Sequence, residues 1–449
     1  MPIPTSLAAD PASAGLEALR SANREFSQRY PGETGGRQPL HTVYGGGHLF
    51  RADTARKLGA VALRTLEEYG SDAADFARVV GMPTALADTV YRRMVFKLQR
   101  EPVEDFRIDF EDGYGNRPDD EEDGHAEAAA AEVARGAAEG ALPPFIGIRI
   151  KPLNEELRRR SIRTLDVFLT ALLRTGGRLP EGFVVTLPKV TIPEQVEWFA
   201  AVLAEAEGAF ELAPGTLRFE IMIETPQIIV DRSGRSALPS LLEAGAGRIS
   251  AAHLGTYDYT AGCNITAAYQ GMGHPACDFA RQMMQVAFAG TGVWLSDGST
   301  TVMPVPLYRV GSGETLTPEQ IAANRAGVHN AWALHYADVR RSLIQGFYQG
   351  WDLHPGQLAT RYAAVYAFFL EGLEAAGDRL KNFVAKAAQA TLVGDVFDDA
   401  ATGQGLLNYF LRGINAGAFT EEEAAERTGL SLEEFRGRSF VRILTGRKG

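Results

Sequence analysis

The chain has 449 residues, of which 45% are apolar and 22% charged, so it is neither a disordered nor a fibrous protein. Its 56 acidic and 45 basic residues give a net charge of −11, which disfavours nucleic acid as a main partner. The sequence contains no apolar run of about 18 residues, and its start lacks the pattern of a signal peptide. Together with the low number of cysteines, two, these features predict a cytoplasmic protein that does not span a membrane.

Short apolar runs bounded by turn residues recur along the chain, and most are followed by a helical pattern. We predict strands at HTVY (41–44), FRIDF (106–110), FIGIRI (145–150), FVVTL (183–187), RFEIMI (218–223), ISAAHL (249–254), VWLS (293–296) and GWDL (350–353). Helices are predicted near 14–28 and at 54–69, 125–138, 158–174, 193–207, 276–289 and 330–346. Most strand runs are apolar throughout rather than alternating, which is typical of strands buried on both faces.

Strands that alternate with helices indicate an α/β fold, and we predict a closed (β/α)8 TIM barrel over residues 38–375. Residues 1–37 are predicted to form an N-terminal arm, and residues 376–449 a wholly helical C-terminal extension. A helical insertion at about 50–105 separates the first two strands, and the acidic run Asp119–Asp123 is predicted to be a solvated loop. The alternative fold is an open doubly wound sheet, but its G-x-G-x-x-G fingerprint is missing after the first strand.

Charged residues follow nearly every predicted strand at its carboxyl end, which is where TIM barrels carry their functional side chains. They are Glu111, Asp112, Arg149, Lys151, Lys189, Glu224, Asp258, Asp297, Asp352 and His354. Two or three of these carboxylates could share one Mg²⁺ ion, because this cation prefers oxygen ligands. Arg149 suits a substrate that carries a carboxylate, since arginine binds planar anions through two hydrogen bonds.

Seven short motifs follow one another along the chain in a recognisable order. They are Phe110-Glu111-Asp112, Arg149-Ile150-Lys151-Pro152, Leu187-Pro188-Lys189-Val190, Ile223-Glu224-Thr225-Pro226, Gly255-Thr256-Tyr257-Asp258-Tyr259, Asp297-Gly298 and Gly350-Trp351-Asp352-Leu353-His354-Pro355-Gly356-Gln357. Over about 40–360 the chain therefore resembles the HpcH/HpaI aldolase superfamily, which includes the citrate lyase beta subunit, malyl-CoA lyase and malate synthase.

The resemblance implies roles for the residues of these motifs. Glu224 and Asp258 would be the ligands of Mg²⁺, with Mn²⁺ as an alternative cation. Arg149 would hold the carboxylate or the developing enolate of the substrate. Glu111 and Asp112 would order water at the metal or orient Arg149.

The resemblance also implies residues at the substrate and at the proton that is transferred. Those implied at the substrate, besides Arg149, are Lys189, Gly255, Thr256 and His354. The base would be an aspartate of the C-terminal extension, often that of a neighbouring subunit, and Asp398 and Asp399 are the candidates. A homo-oligomer is therefore expected.

Two of the basic residues have a second interpretation. Arg149 could be a structural partner of Asp109 or Glu111, because either carboxylate could reach it from the preceding strand. Lys189 could instead be a Schiff-base lysine, since a lysine at a barrel end can have a lowered pKa.

By resemblance, the chain is a Mg²⁺-dependent carbon–carbon lyase of the aldol or Claisen type. It would cleave or form a hydroxy acid through a metal-stabilised enolate of a small oxo acid or acyl thioester. Departures at Lys151, at Tyr259 and in the long interval between Glu224 and Asp258 make it a divergent member and leave the use of coenzyme A open. The alternatives are a condensing enzyme like malate synthase that uses an acyl-CoA, and a non-catalytic barrel that binds metal and ligand.

Overall fold

Eight parallel strands close into a barrel in the order of the chain. The computed structural model describes residues 13–32, 36–176, 178–310, 315–385, 391–393, 396–398, 400–437, 440 and 443. The barrel strands are β1 (His41–Gly46), β2 (Asp105–Asp109), β3 (Phe145–Arg149), β4 (Phe183–Leu187), β5 (Arg218–Ile223), β6 (Ile249–Leu254), β7 (Trp294–Ser299) and β8 (Gln349–Asp352). The predicted (β/α)8 TIM barrel is confirmed.

Helices precede the barrel and connect its strands. They are α1 (Ser13–Arg29), α2 (Thr54–Tyr69), α3 (Ala73–Val80), α4 (Ala87–Arg100), α5 (Asp119–Glu139), α6 (Arg158–Gly176), α7 (Pro193–Ala209), α8 (Pro226–Ile229), α9 (Leu238–Ala244), α10 (Thr256–Gly262), α11 (Pro275–Phe288) and α12 (Pro318–Ile344). Helices α2, α3 and α4 form the predicted insertion between β1 and β2. In the described part of the chain, every helix is too short or too polar to cross a bilayer.

The C-terminal part contains strands as well as helices. Its elements are α13 (Leu358–Ala385), β9 (Thr391–Val393), β10 (Val396–Asp398), α14 (Ala400–Asn415), α15 (Glu421–Thr428) and α16 (Leu432–Arg436). The predicted helical extension is confirmed in α14, α15 and α16, but it is not wholly helical, because β9 and β10 pair as antiparallel strands rich in β-branched residues. Helix α13 continues across residue 375, where we predict the barrel to end. The division into arm, barrel and extension stays a prediction.

The acidic run Asp119–Asp123 begins α5 instead of forming a solvated loop, so this prediction was also wrong. Acidic side chains in a first turn are stabilised by the positive end of the helix dipole. Within the run, Glu122 is fully buried, and its carboxylate accepts a hydrogen bond of 2.6 Å from the Lys151 ammonium. Lys151, which departs from the family motif, therefore ties the end of β3 to α5.

Strand register determines which side chains meet at the carboxyl end of the barrel. Asp109 of β2 is paired with Arg149 of β3, and Ile223 of β5 is paired with Leu254 of β6. The residues directly after these pairs therefore emerge side by side from neighbouring strands.

Candidate active site

Two carboxylates emerge from the neighbouring strands β5 and β6. Glu224 directly follows β5, and Asp258 lies in the first turn of α10, just after β6. Gly255 lets the second loop pass close to the first, because a Cβ atom on Gly255 would lie 2.3 Å from Oε2 of Glu224. The glycine of the Gly-x-x-Asp motif is thus required by the position of Glu224.

The Glu224 carboxyl group is buried, with only 2% of the residue exposed, whereas the Asp258 side chain is 45% exposed. Burial and the nearby charge of Asp258 raise the pKa of Glu224 to about 8. A hydrogen bond of 2.6 Å from the backbone N–H of Lys189 to Oε1 of Glu224 opposes this rise. The repulsion between these two carboxylates therefore favours a cation between them.

Arg149 extends from β3 into the same end of the barrel and is buried. Its Nε and Nη2 atoms donate to the two carboxylate oxygens of Asp109, at 2.7 and 2.6 Å. The Tyr44 ring lies against the guanidinium group, with 4.7 Å between Cζ and the ring centroid. Nη1 is turned toward Oε2 of Glu111, at 3.1 Å. The pair with Asp109 anticipated from the sequence exists, and it leaves one edge of the guanidinium facing the other acids.

Lys189 connects the acids of β2 to those of β5 and β6. Its ammonium nitrogen lies 2.6 Å from Oε1 of Glu111, 3.1 Å from Oδ2 of Asp112 and 3.7 Å from Oδ2 of Asp258. Burial alone would lower the pKa of Lys189, but the hydrogen bond to Glu111 and the charges of the acids raise it above its ordinary value. Lys189 is therefore a poor nucleophile, which argues against a Schiff base.

Acidic groups outnumber basic groups at this end of the barrel. The carboxylates are Asp109, Glu111, Asp112, Glu224 and Asp258, and the cations are Arg149 and Lys189. In the described part of the chain, no three His, Cys, Asp or Glu side chains converge as a complete metal cluster. A pair of carboxylates still fits Mg²⁺, because this ion keeps several waters and binds substrate oxygens. The donor set and the surplus of negative charge therefore fit the implied cation.

Several residues expected at the substrate have other contacts. The His354 ring accepts a hydrogen bond of 3.0 Å from the backbone N–H of Gly356 and caps the turn after β8. The Thr256 hydroxyl is buried and lies 3.3 Å from the sulfur of Met272. Asp398 lies on β10, where the structure describes no side chain, and Asp399 falls outside the described residues. The roles of these residues stay predictions.

The strand-end acids of β7 and β8 differ from the others, because both are buried in ion pairs. Nε of Arg281 lies 2.9 Å from the Asp297 carboxylate, and Nη2 of Arg361 lies 2.8 Å from the Asp352 carboxylate. The charged strand ends thus form two groups, an open group that includes Glu224 and a group used to hold helices to the barrel.

Two features of the site were not anticipated from the sequence. Tyr44 of β1 packs on Arg149. The one sequence indication was that Tyr44 lies two residues after Thr42, so that both side chains point to the same, inward face of the strand. Lys189 has a φ of 49°, the left-handed conformation that a lysine rarely adopts. The sequence gives no indication of this backbone conformation.

A family model matches residues 19–443 of the chain, and its description is a domain of unknown function, DUF6986. The chain belongs to this family. None of the curated proteins matches the sequence.

Solved structures resemble this member of DUF6986 in fold. A citrate lyase from Burkholderia xenovorans LB400 has 17% sequence identity and a TM-score of 0.55, over 87% of this chain and 96% of that one. The magnesium and glyoxylate complex of Haloferax volcanii malate synthase has 14% identity and a TM-score of 0.47, over 89% and 98%. The protein CitE of Mycobacterium tuberculosis, in complex with magnesium, acetoacetate and coenzyme A, has 14% identity and a TM-score of 0.45, over 88% and 100%. The likeness to the Burkholderia enzyme is one of fold, and it agrees with the resemblance found in the motifs.

Proposed function

We propose that the chain is a Mg²⁺-dependent carbon–carbon lyase that acts on a small hydroxy acid. The observation that carries this proposal is the pair of carboxylates of Glu224 and Asp258, at the end of the barrel where Arg149 and Lys189 also lie. The fold shared with a citrate lyase supports the same class of reaction.

Glu224 and Asp258 would hold the cation, with Mn²⁺ as an alternative to Mg²⁺. When bound, the cation would supply Lewis acidity to the carbonyl and carboxylate oxygens of the oxo acid. Because Asp258 is 45% exposed while Glu224 is buried, the substrate would approach this pair from the side of Asp258.

Arg149 would stabilise the negative charge that builds up as the carbon–carbon bond breaks. In this step the hydroxyl proton of the substrate passes to a base, the hydroxyl carbon becomes a carbonyl, and the electron pair of the broken bond passes to the enolate of the other fragment. Nη1 of Arg149 does not bond to Asp109, so it is the nitrogen that can donate a hydrogen bond to the enolate oxygen. Asp398 or Asp399 stays our proposal for the base.

The substrate would be a small carboxylate, because the two cations of the site suit one carboxylate group and one developing oxyanion. Lys189 is 30% exposed and is the cation nearest to the solvent. Activity on hydroxy acids compared with activity on their coenzyme A thioesters decides whether the second fragment is an acyl-CoA, as in a malate-synthase-like condensation.

The test is a calorimetric titration of the full-length chain with Mg²⁺, together with a panel of hydroxy acids and their coenzyme A thioesters. We expect Glu224→Gln to weaken Mg²⁺ binding by at least about tenfold and to abolish release of the oxo acid. The control is Glu207→Gln, since Glu207 is an equally buried glutamate that pairs with Arg248 outside the site. Unchanged Mg²⁺ affinity in Glu224→Gln would overturn the assignment.

A further inference from the structure

Lys189 contacts four of the five acids at this end of the barrel, all except Asp109, from one position. Its ammonium group contacts Glu111 and Asp112 after β2 and Asp258 after β6, while its own backbone N–H donates to Glu224 after β5. The left-handed φ of 49° is the backbone geometry with which one residue points its N–H and its side chain at these different carboxylates. The contacts of Lys189 thus extend over both halves of the site.

The contacts of the ammonium group are unequal. It lies 2.6 Å from Glu111 and 3.7 Å from Asp258, so the contact with Asp258 is the weaker one. Glu111 and Asp112 are not the residues to which we assign the cation. A divalent cation on Glu224 and Asp258 would therefore compete with the ammonium group of Lys189 for Asp258 alone.

A bound cation and the Lys189 ammonium would also repel each other. Two positive charges about 4 Å apart interact strongly where the surroundings exclude most of the water. Glu224 is buried and Lys189 is only 30% exposed, so screening by solvent is incomplete. The flexible lysine side chain can reduce this repulsion by turning toward the open mouth of the barrel, where a substrate carboxylate would bind.

We propose that Lys189 is the internal counter-ion of the candidate metal site, which gives up Asp258 to the divalent cation and then binds the carboxylate of the oxo acid. This inference rests on the proposed function. It makes binding ordered, with the cation first and the acid second. It also assigns Lys189 a role opposite to that of a residue that helps to hold the cation, because the lysine weakens cation binding in the absence of substrate.

The experiment measures Mg²⁺ binding without any organic acid, by calorimetry on the full-length chain. We expect Lys189→Met to bind Mg²⁺ about tenfold more tightly than the wild type, and Lys189→Arg, which keeps the positive charge, to stay within about twofold of it. Pyruvate is then titrated into the Mg²⁺-loaded proteins, where Lys189→Met should bind at least about tenfold more weakly.

Lys97→Met is the matched control. Lys97 also bridges two carboxylates, those of Glu101 and Glu104, but it lies on α4 away from the site. It should lower the melting temperature without changing the affinity for Mg²⁺ or pyruvate.

Unchanged or weaker Mg²⁺ binding in Lys189→Met overturns the counter-ion role and leaves the proposed metal site standing. Tighter Mg²⁺ binding with unchanged pyruvate affinity overturns the second half of the proposal, the transfer of the lysine to the substrate. Absence of Mg²⁺ binding in both the wild type and Lys189→Met overturns the proposed function itself, and the inference with it.

Discussion

The interior of the barrel and its carboxyl end use the same residue types in different ways. In the interior, the guanidinium of Arg107 bonds to the carboxylates of Asp105 and Glu220, and at most 3% of any of these side chains is exposed. At the carboxyl end, the side chain of Asp258 is 45% exposed and that of Asp112 is 61% exposed. Closed ion pairs hold strands together, whereas open ones keep charge available for a ligand.

The difference is also visible in how the donors are used. Nε and Nη2 of Arg107 each lie 2.8 Å from an oxygen of Glu220, and its Nη1 donates to Asp105, so that every nitrogen of its guanidinium is engaged. Although burial alone would raise the pKa of Glu220, the charges of Arg107 and His253 hold it well below its ordinary value. At the carboxyl end, the pKa of Glu224 is shifted in the opposite direction. The pKa values of the two buried glutamates are thus shifted in opposite directions, because Glu220 lies beside the guanidinium of Arg107 whereas Glu224 lies beside the carboxylate of Asp258.

The largest effect is expected from opening the interior pair. Arg107→Met would leave Asp105 and Glu220 buried without their main partner, and removing one partner of a buried pair costs about 3–5 kcal/mol. Urea unfolding of the variant measures this loss. Arg107→Lys should lose less, because one positive charge remains. A loss below about 1 kcal/mol in Arg107→Met would contradict the structural role of the pair.

The second effect concerns the arginine at the open end. Arg149→Lys keeps the charge but loses the planar fork, so we expect kcat on the accepted hydroxy acid to fall by about 10²–10³. It should also lose stability, because both bonds to Asp109 are replaced. Asp109→Asn is the companion variant, which weakens the pair but keeps the guanidinium. Preserved kcat with a large loss of stability in Arg149→Lys would make Arg149 a counterpart of Arg107.

The third effect is a dependence on pH at Glu224. Its pKa is about 8 in the folded, ligand-free protein and near 4.5 ordinarily, so the folded state holds an extra proton between these values. The contribution of this proton to the free energy of unfolding is fully present below pH 4.5 and is lost as the pH rises through about 8. Thermal unfolding measured over this range should show the decrease.

The same proton must leave when a cation binds, so the affinity for Mg²⁺ should rise by about tenfold per pH unit until it levels off near pH 8. Titrations in buffers of different ionisation enthalpy measure this proton release. Glu224→Gln should abolish the decrease in stability, and a decrease of the same size in that variant would assign it to another group.

The strands were predictable because their apolar runs are short and bounded by turn residues. The predicted ranges for β4, β5 and β6 coincide with the observed ones, as does that for α2. Helix α12 begins at Pro318 rather than near 330, although the capping box of Thr317 and Gln320 was legible in the sequence. The paired strands β9 and β10 were missed because strands of three residues carry too little pattern.

For the candidate site, the sequence predicted which residues lie at the strand ends but not which of them are paired. The sequence placed Glu111, Arg149, Lys189, Glu224 and Asp258 at one end of a barrel, and the structure brings these five together. It could not separate the open acids from Asp297 and Asp352, since the partners of these two come from α11, α12 and α13, and only the packing of these helices on the barrel brings them to the strand ends. Which acids are neutralised depends on tertiary packing.

Helix α13 has a geometric consequence for the helices packed on it. Its 28 residues run without interruption from the barrel, where Tyr362 is buried, to Phe383 in its last turn. Helices α14 and α15 pack back along α13, as in the contact of the Tyr409 and Phe369 rings, whose centroids lie 5.4 Å apart. Adding or deleting one residue in the middle of α13 would turn the half after it by about 100° and shift it by about 1.5 Å, so the faces that meet in this packing would no longer match.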